Sequence, residues 1–268
     1  MNKYSLLLIF TVSCFPCFLS AMGKDNTSSE SIKNKSAPAI INSKNTECKA
    51  SIENPGVRKI KDIVIYENPV YYSSFPSVIK RPDGVILVAF RRAPDRKIFG
   101  EQGTSHVDPN SYLVMVRSRE GETWTKEPDL IYAHPYGGSQ DPCLLQLNDG
   151  TLLCTSYGWA YVRQDGIPNL KKPYSEAGGA IFLGGYLVRS FDGGETWKGP
   201  VYPPSIQPEI SFNALGDPVP AYNRGAMYES KNGSILWAVA ANDSSDKTSV
   251  HLIVSEDKGL TWKYLNPA

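Results

Sequence analysis

A turn motif that recurs along the chain constrains the fold more than any other feature. Ser190-Phe191-Asp192-Gly193-Gly194-Glu195-Thr196-Trp197 and Ser255-Glu256-Asp257-Lys258-Gly259-Leu260-Thr261-Trp262 share the pattern S-x-D-x-G-x-T-W. Ser118-Arg119-Glu120-Gly121-Glu122-Thr123-Trp124 is a degenerate copy, one residue shorter. Such self-similarity marks a repeat architecture, whose units bury their apolar faces against one another. The motif carries its own chemistry. Its acidic side chain can accept from backbone N–H groups of the turn, glycine permits positive φ, and tryptophan is expected to plug the gap toward the next sheet.

Each copy follows a run rich in β-branched and aromatic residues, at 111–117, 181–188 and 249–254, which reads as a strand. Upstream of each lies an Asx-Gly pair between apolar runs, at Asp83-Gly84, Asp149-Gly150 and Asn232-Gly233, a strong hairpin signal. The order strand, tight turn, strand, loop, strand, box, strand predicts a four-stranded antiparallel sheet. Three such units predict an all-β chain of β-propeller type. Trp124 to Trp197 spans 73 residues and Trp197 to Trp262 spans 65, so the excess length falls in loops.

Composition excludes several other classes. With 28 Lys+Arg against 27 Asp+Glu in 268 residues, the net charge of +1 offers no basic field for nucleic acid. The three histidines, at 106, 134 and 251, have no ligand spacing, and no G-x-x-x-x-G-K-S/T or G-x-G-x-x-G run occurs, so neither a metal nor a cofactor is expected. At the N-terminus, Lys3 precedes an apolar run from Leu6 to Phe18 and small residues at Ser20, Ala21 and Gly23. That is the pattern of an export signal over 1–23, too short to span a bilayer comfortably. A secreted or periplasmic protein is expected, with a lipid anchor on Cys14 or Cys17 as the lesser alternative. Residues 24–50, rich in Ser, Lys and Asn, read as a flexible linker, and 51–268 as the folded domain. No integral membrane span is expected. Cys48, Cys143 and Cys154 are an odd number and imply no disulfide framework. Cys143 and Cys154 flank one hairpin and read as two buried thiols.

The boxes and hairpins resemble the Asp-box, or BNR-repeat, proteins of the sialidase (neuraminidase) superfamily, over roughly residues 60 to 268. The resemblance implies a six-bladed propeller, of which about three blades are encoded here. The remainder is expected beyond residue 268, and self-association through open blade edges is the alternative. The box itself is fold-level information.

Strand order puts the tight turns and boxes on one face. The opposite face collects Ser74–Ser77, Gln140–Pro142 and Asn223–Gly225, with the long loops 91–110 and 158–179, and loops of that length point to a site. Arg91, Arg92, Arg96 and Arg224 are thereby expected near Asp108 and Asp141, with Tyr157 and Trp159 as sugar-stacking aromatics. Guanidinium groups suit a carboxylate through a bidentate fork. The resemblance implies Asp108 as general acid, with His106 the second candidate; Arg91, Arg92, Asp141, Arg224, Tyr157 and Trp159 are the substrate-binding candidates. It also breaks at two places. The family's first-blade Arg-Ile-Pro stands here as Ser74-Phe75-Pro76, so the arginine that binds a substrate carboxylate is a serine. Arg224 falls where the family has the glutamate that assists a nucleophilic tyrosine. The expected function is a glycoside hydrolase acting on terminal sugars of glycans, sialic acid or another acidic sugar. A non-catalytic propeller that binds glycan or protein is the alternative. Asp108 and Asp141 each precede a proline and also read as turn formers, and Arg91 or Arg92 as a solvated strand end.

Overall fold

The computed structural model describes residues 60–101, 107–225, 227–244 and 247–267, all within one compact unit, Lys59–Ala268. The expected leader and linker, and the candidate His106, lie outside these residues.

The described residues form three successive antiparallel sheets. The first has the order β1 (Tyr71–Lys80), β2 (Ile86–Pro94), β3 (Tyr112–Ser118), β4 (Asp129–Tyr132). In the second, β5 (Gly138–Ser139) and β6 (Cys143–Gln146) both pair with β7 (Leu152–Tyr161). β7 pairs with β9 (Ala180–Ser190), and β9 with β10 (Lys198–Val201). A two-residue strand, β8 (Glu176–Ala177), hangs on β9. The third is β11 (Met227–Glu229), β12 (Ile235–Ser244), β13 (Lys247–Ser255), β14 (Lys263–Pro267). The second sheet differs from the expected four strands because its first strand is split. Pro142 has no N–H to give the ladder, so pairing lapses between β5 and β6. The tight turns close as expected, with Gly84 N–H donating to Arg81 O, Gly150 N–H to Leu147 O and Gly233 N–H to Ser230 O.

Side-chain alternation builds the core. Leu152 and Cys154 of β7, with Tyr186 and Val188 of β9, pack on Leu87, Ala89, Leu113 and Met115 of the first sheet. Their strand neighbours Leu153 and Leu187 face the other way, onto Ile235, Trp237, Val239 and Ile253 of the third. The middle sheet is therefore buried on both faces and reads as near-continuous apolar runs. Each fully buried leucine contributes about 1.5–3 kcal/mol. Cys143 and Cys154 are free thiols; Cys154 is buried as expected, and Cys143 is only half-buried. Cys143 pairs with Thr155 and Cys154 with Leu144, which places the two cysteines on opposite faces.

The boxes fold as miniature clamps. Asp192 accepts from Thr196 N–H at 2.9 Å, Thr196 Oγ1 at 2.5 Å and Ser190 Oγ at 2.8 Å. Asp257 repeats this with Thr261 and Ser255. The bonds from Thr196 and Ser190 hold the Asp192 carboxyl well below the usual range. In the shorter copy Glu120 takes the same part, accepting from Thr123 N–H at 2.9 Å and from its hydroxyl.

The box tryptophans fill the gap toward the preceding sheet, not the next one. Trp197 packs on the cluster between the first and second sheets, and Trp262 lies in the cluster between the second and third, its ring 5.4 Å from that of Trp237. The turn is drawn that way by the preceding sheet. Arg81 Nη1 donates to Gly193 O and Arg117 Nη2 to Gly194 O, both at 2.9 Å.

Candidate functional site

In each sheet the innermost strand is disturbed near the end that faces away from the boxes. β1 carries a bulge between Ser74 and Ser77, with Phe75 at φ 57°. The second sheet breaks at Gln140–Pro142, between β5 and β6. In the third, Tyr222 makes an isolated bridge to Ala240, and Gly225 at φ 145° precedes β11. The inner strands lie side by side, Leu144 N–H donating to Ser77 Oγ at 2.9 Å. Three disturbed strand ends thus meet on one side, where side chains turn out of the ladder.

Asp108 is brought there by its loop. Ser111 Oγ donates to Ser139 O at 2.6 Å, and Ser139 N–H donates to Ser111 O at 3.0 Å. Contact this close requires glycine. A β-carbon on Gly138 would stand 1.8 Å from Asp108 O, and one on Gly137 2.0 Å from Trp159 O. Asp108 is 2% exposed. Its carboxylate accepts from Arg96 Nε at 2.7 Å, Arg96 Nη2 at 2.9 Å and Asn110 N–H at 2.8 Å. Arg96 opens a short 3₁₀ turn, Arg96–Phe99, capped by Asp95. The bond to Asp108 raises the pKa of this guanidinium further.

Arg91 is fully buried and stands opposite Ser74 in the β1–β2 register. Odd-numbered residues of β2 face the second sheet, as Leu87 and Ala89 do, so Arg91 points between the sheets. Burial lowers its pKa, while the charges of Asp108 and Asp141 oppose that shift. Asp141 is itself buried. Its Oδ2 accepts from Tyr157 OH at 3.0 Å and pairs with Arg224 Nε at 2.8 Å. Its Oδ1 is buried with no hydrogen-bond partner among the described residues. Burial, and then Asp141, push the Tyr157 phenol up. Arg224 reaches in from the third sheet with its side chain 60% exposed.

The structure therefore brings together Asp108, Arg91, Asp141, Tyr157 and Arg224. It separates Arg92, which lies on the other face of β2 with its guanidinium 3.6 Å over the Tyr71 ring and near Tyr66 and Tyr112. A one-residue step along a strand reverses the face, so adjacent arginines cannot both serve one site. Trp159 packs on Phe182 at 4.8 Å, beside Tyr157 and Tyr222. The sequence placed Gln140 on this face without a role, and it is fully buried with both amide heteroatoms unpartnered among the described residues; the Gly137-Gly138 pair was missed, and consecutive glycines just ahead of an Asp-Pro step were the available signal. Concavities of about 590 and 650 Å³ lie instead on the box side, lined by groups such as Arg81, Arg117 and Glu195, or Asp149, Glu229 and Lys258. Several of these groups tie sheets together, so size alone does not mark the site.

No family profile matches the sequence, and no curated protein does. Among solved structures the chain is similar to a protein of unknown function from Dyadobacter fermentans DSM 18053, at 68% identity and a TM-score of 0.76, covering 78% of this chain and 58% of that one. It is also similar to the Hadza microbial sialidase Hz136, at 18% identity and a TM-score of 0.50 over 73% of this chain and 37% of that one. Zg3597, a family 117 glycoside hydrolase produced by the marine bacterium Zobellia galactanivorans, matches at 13% identity and a TM-score of 0.53, over 78% and 61%. These two distant likenesses speak to fold alone. The fold is all-β, a β-propeller of the sialidase type. This chain spans 58% of the Dyadobacter protein's length. No helix among the described residues is long and apolar enough to cross a membrane.

Proposed function

We propose that this chain carries the sugar-binding face of a secreted, sialidase-like glycoside hydrolase that acts on terminal sugars of glycans. The observation that carries the reading is the convergence of Asp108, Arg91, Asp141 and Arg224, from three sheets, on the side where the inner strands break. Asp108 is the candidate general acid for the leaving oxygen. To act so it must exchange the Arg96 fork for a proton, because all three of its present partners are donors. Arg91, Asp141, Tyr157 and Arg224 position the sugar. The nucleophile is left unassigned within these residues. Export is supported by the leader pattern at 1–23 and is tested by the mass of the mature N-terminus.

The grip of Arg96 on both oxygens of Asp108 favours a second reading, a propeller that binds glycan without cleaving it. Incubation of the full chain with a panel of fluorogenic glycosides, beside Asp108→Asn, separates the two. Release lost in the variant supports the hydrolase, and binding without release supports the second reading. Neither release nor binding removes both.

A further inference from the structure

We propose that the sugar accepted at this face is uncharged. The proposal rests on the glycan-site reading above and narrows its substrate class.

Two of the guanidinium groups brought to the broken strand ends are held by carboxylates of the protein, and the third, Arg91, is wholly buried between the sheets and out of a ligand's direct reach. Arg96 holds both oxygens of Asp108, at 2.7 and 2.9 Å, and lies 3.6 Å from Glu101. Arg224 holds Asp141 at 2.8 Å. Arg91, buried between the sheets, lies in the field of both aspartates. Arg92 is spent on the tyrosines of the opposite face. Three arginines thus stand against Asp108, Asp141 and Glu101, and the formal charges cancel.

An acidic sugar would need the fork of one of these arginines. Taking it would strip Asp108 or Asp141 of its counter-ion, and both carboxylates are almost wholly buried. Leaving a buried charge unpaired is strongly unfavourable, and the incoming carboxylate would stand beside the stranded one. Hydroxyl groups make no such demand. A sugar O–H can donate to Asp141 Oδ1, which has no hydrogen-bond partner among the described residues, while the outward N–H groups of Arg224 donate to sugar oxygens. Ser74, opposite Arg91, offers a hydroxyl with no partner among the described residues, so it adds polarity without charge.

The test is calorimetry and saturation-transfer NMR on the full chain. The probes are methyl glycosides of galactose, glucose, fucose and N-acetylglucosamine, beside those of N-acetylneuraminic and glucuronic acid. At least one neutral glycoside is expected to bind about tenfold or more tighter than either acidic one, the scale of one charge-assisted hydrogen bond. Asp141→Asn, which releases Arg224 from its counter-ion at constant size, is expected to raise affinity for the acidic glycosides about tenfold. Asp108→Asn, which releases Arg96, serves if the first variant does not fold. Equal or tighter binding of an acidic glycoside by the unaltered chain overturns the proposal and leaves the glycan reading standing. Acidic affinity unchanged in a folded variant overturns it as well. No binding of either class overturns the glycan reading and this proposal together.

Discussion

Gly138 lies directly beneath the carbonyl of Asp108, so close that a β-carbon on it would stand 1.8 Å from that oxygen and 2.6 Å from Ser111 Oγ. The obstacle is backbone and cannot swing aside. Gly138→Ala is therefore expected to push the 107–111 loop off the second sheet, at a cost of at least about 2 kcal/mol, and, under the function proposed above, to abolish glycan binding. Gly84→Ala, where only positive φ opposes a side chain and nothing lies within 4 Å, is expected to cost about 1 kcal/mol with binding intact. Urea denaturation of both variants checks the contrast, and equal costs would contradict it.

Removing Arg96 leaves Asp108 with Asn110 N–H as its one remaining donor among the hydrogen bonds described above. Arg96→Gln is expected to destabilise the chain by about 1–3 kcal/mol, the range for losing a charged partner to a buried group. Arg96→Lys, which keeps the charge and loses the fork, is expected to fall between. Denaturation midpoints order the three chains, and a glutamine variant as stable as the parent would show the fork to be idle.

Lys258 of the third sheet pairs with Asp149 in the tight turn of the second. Its hydrogen bond, followed by that from Thr151 N–H, holds the Asp149 carboxyl down to about 2. The folded value lies below the unfolded one, about 3.9. The pair's stabilisation is thus present above pH 4 and lost as the pH falls toward 2. Both side chains are substantially exposed, so the effect is about 1 kcal/mol or less. Asp149→Asn is expected to be less stable than the parent at pH 6 and equal to it near pH 2, as read by urea melts at both values. A gap that persists at pH 2 would refute the assignment.

Burial pushes the Cys143 and Cys154 thiols up, leaving little thiolate at pH 8. Peptide mass spectrometry after iodoacetamide treatment is expected to find both alkylated only at denaturant concentrations that unfold the chain. Rapid native labelling at Cys154 would place it nearer solvent than its position between the sheets allows.

The boxes and the Asx-Gly turns were legible in the sequence because they are local devices; the residues that make the bonds of Asp192 and Asp257 lie within four positions of them. Arg91 and Arg92 were expected at one site, although counting by two along the strand from Leu87 and Ala89 leaves only Arg91 on their face. The sequence brought Arg96 to the side of Asp108, but did not show that it would hold both oxygens of that carboxylate in a fork. The split of the second sheet's first strand needed Pro142 to be weighed against the ladder. The direction of Trp197 depended on Arg81 and Arg117, more than 70 residues away from the turn they hold. Long-range contacts of that kind leave no periodicity to read.

Nearly all strand pairs join segments adjacent in the chain, so little loop-closure entropy opposes forming any one sheet. At the first seam Arg81 and Arg117, made early, reach Gly193 and Gly194 of a box made later. A nascent chain can complete its first sheet while the second is still in the ribosome, and each new sheet then docks on a finished surface. Order of synthesis becomes order of assembly, and no sheet has to wait for a later one to set its register.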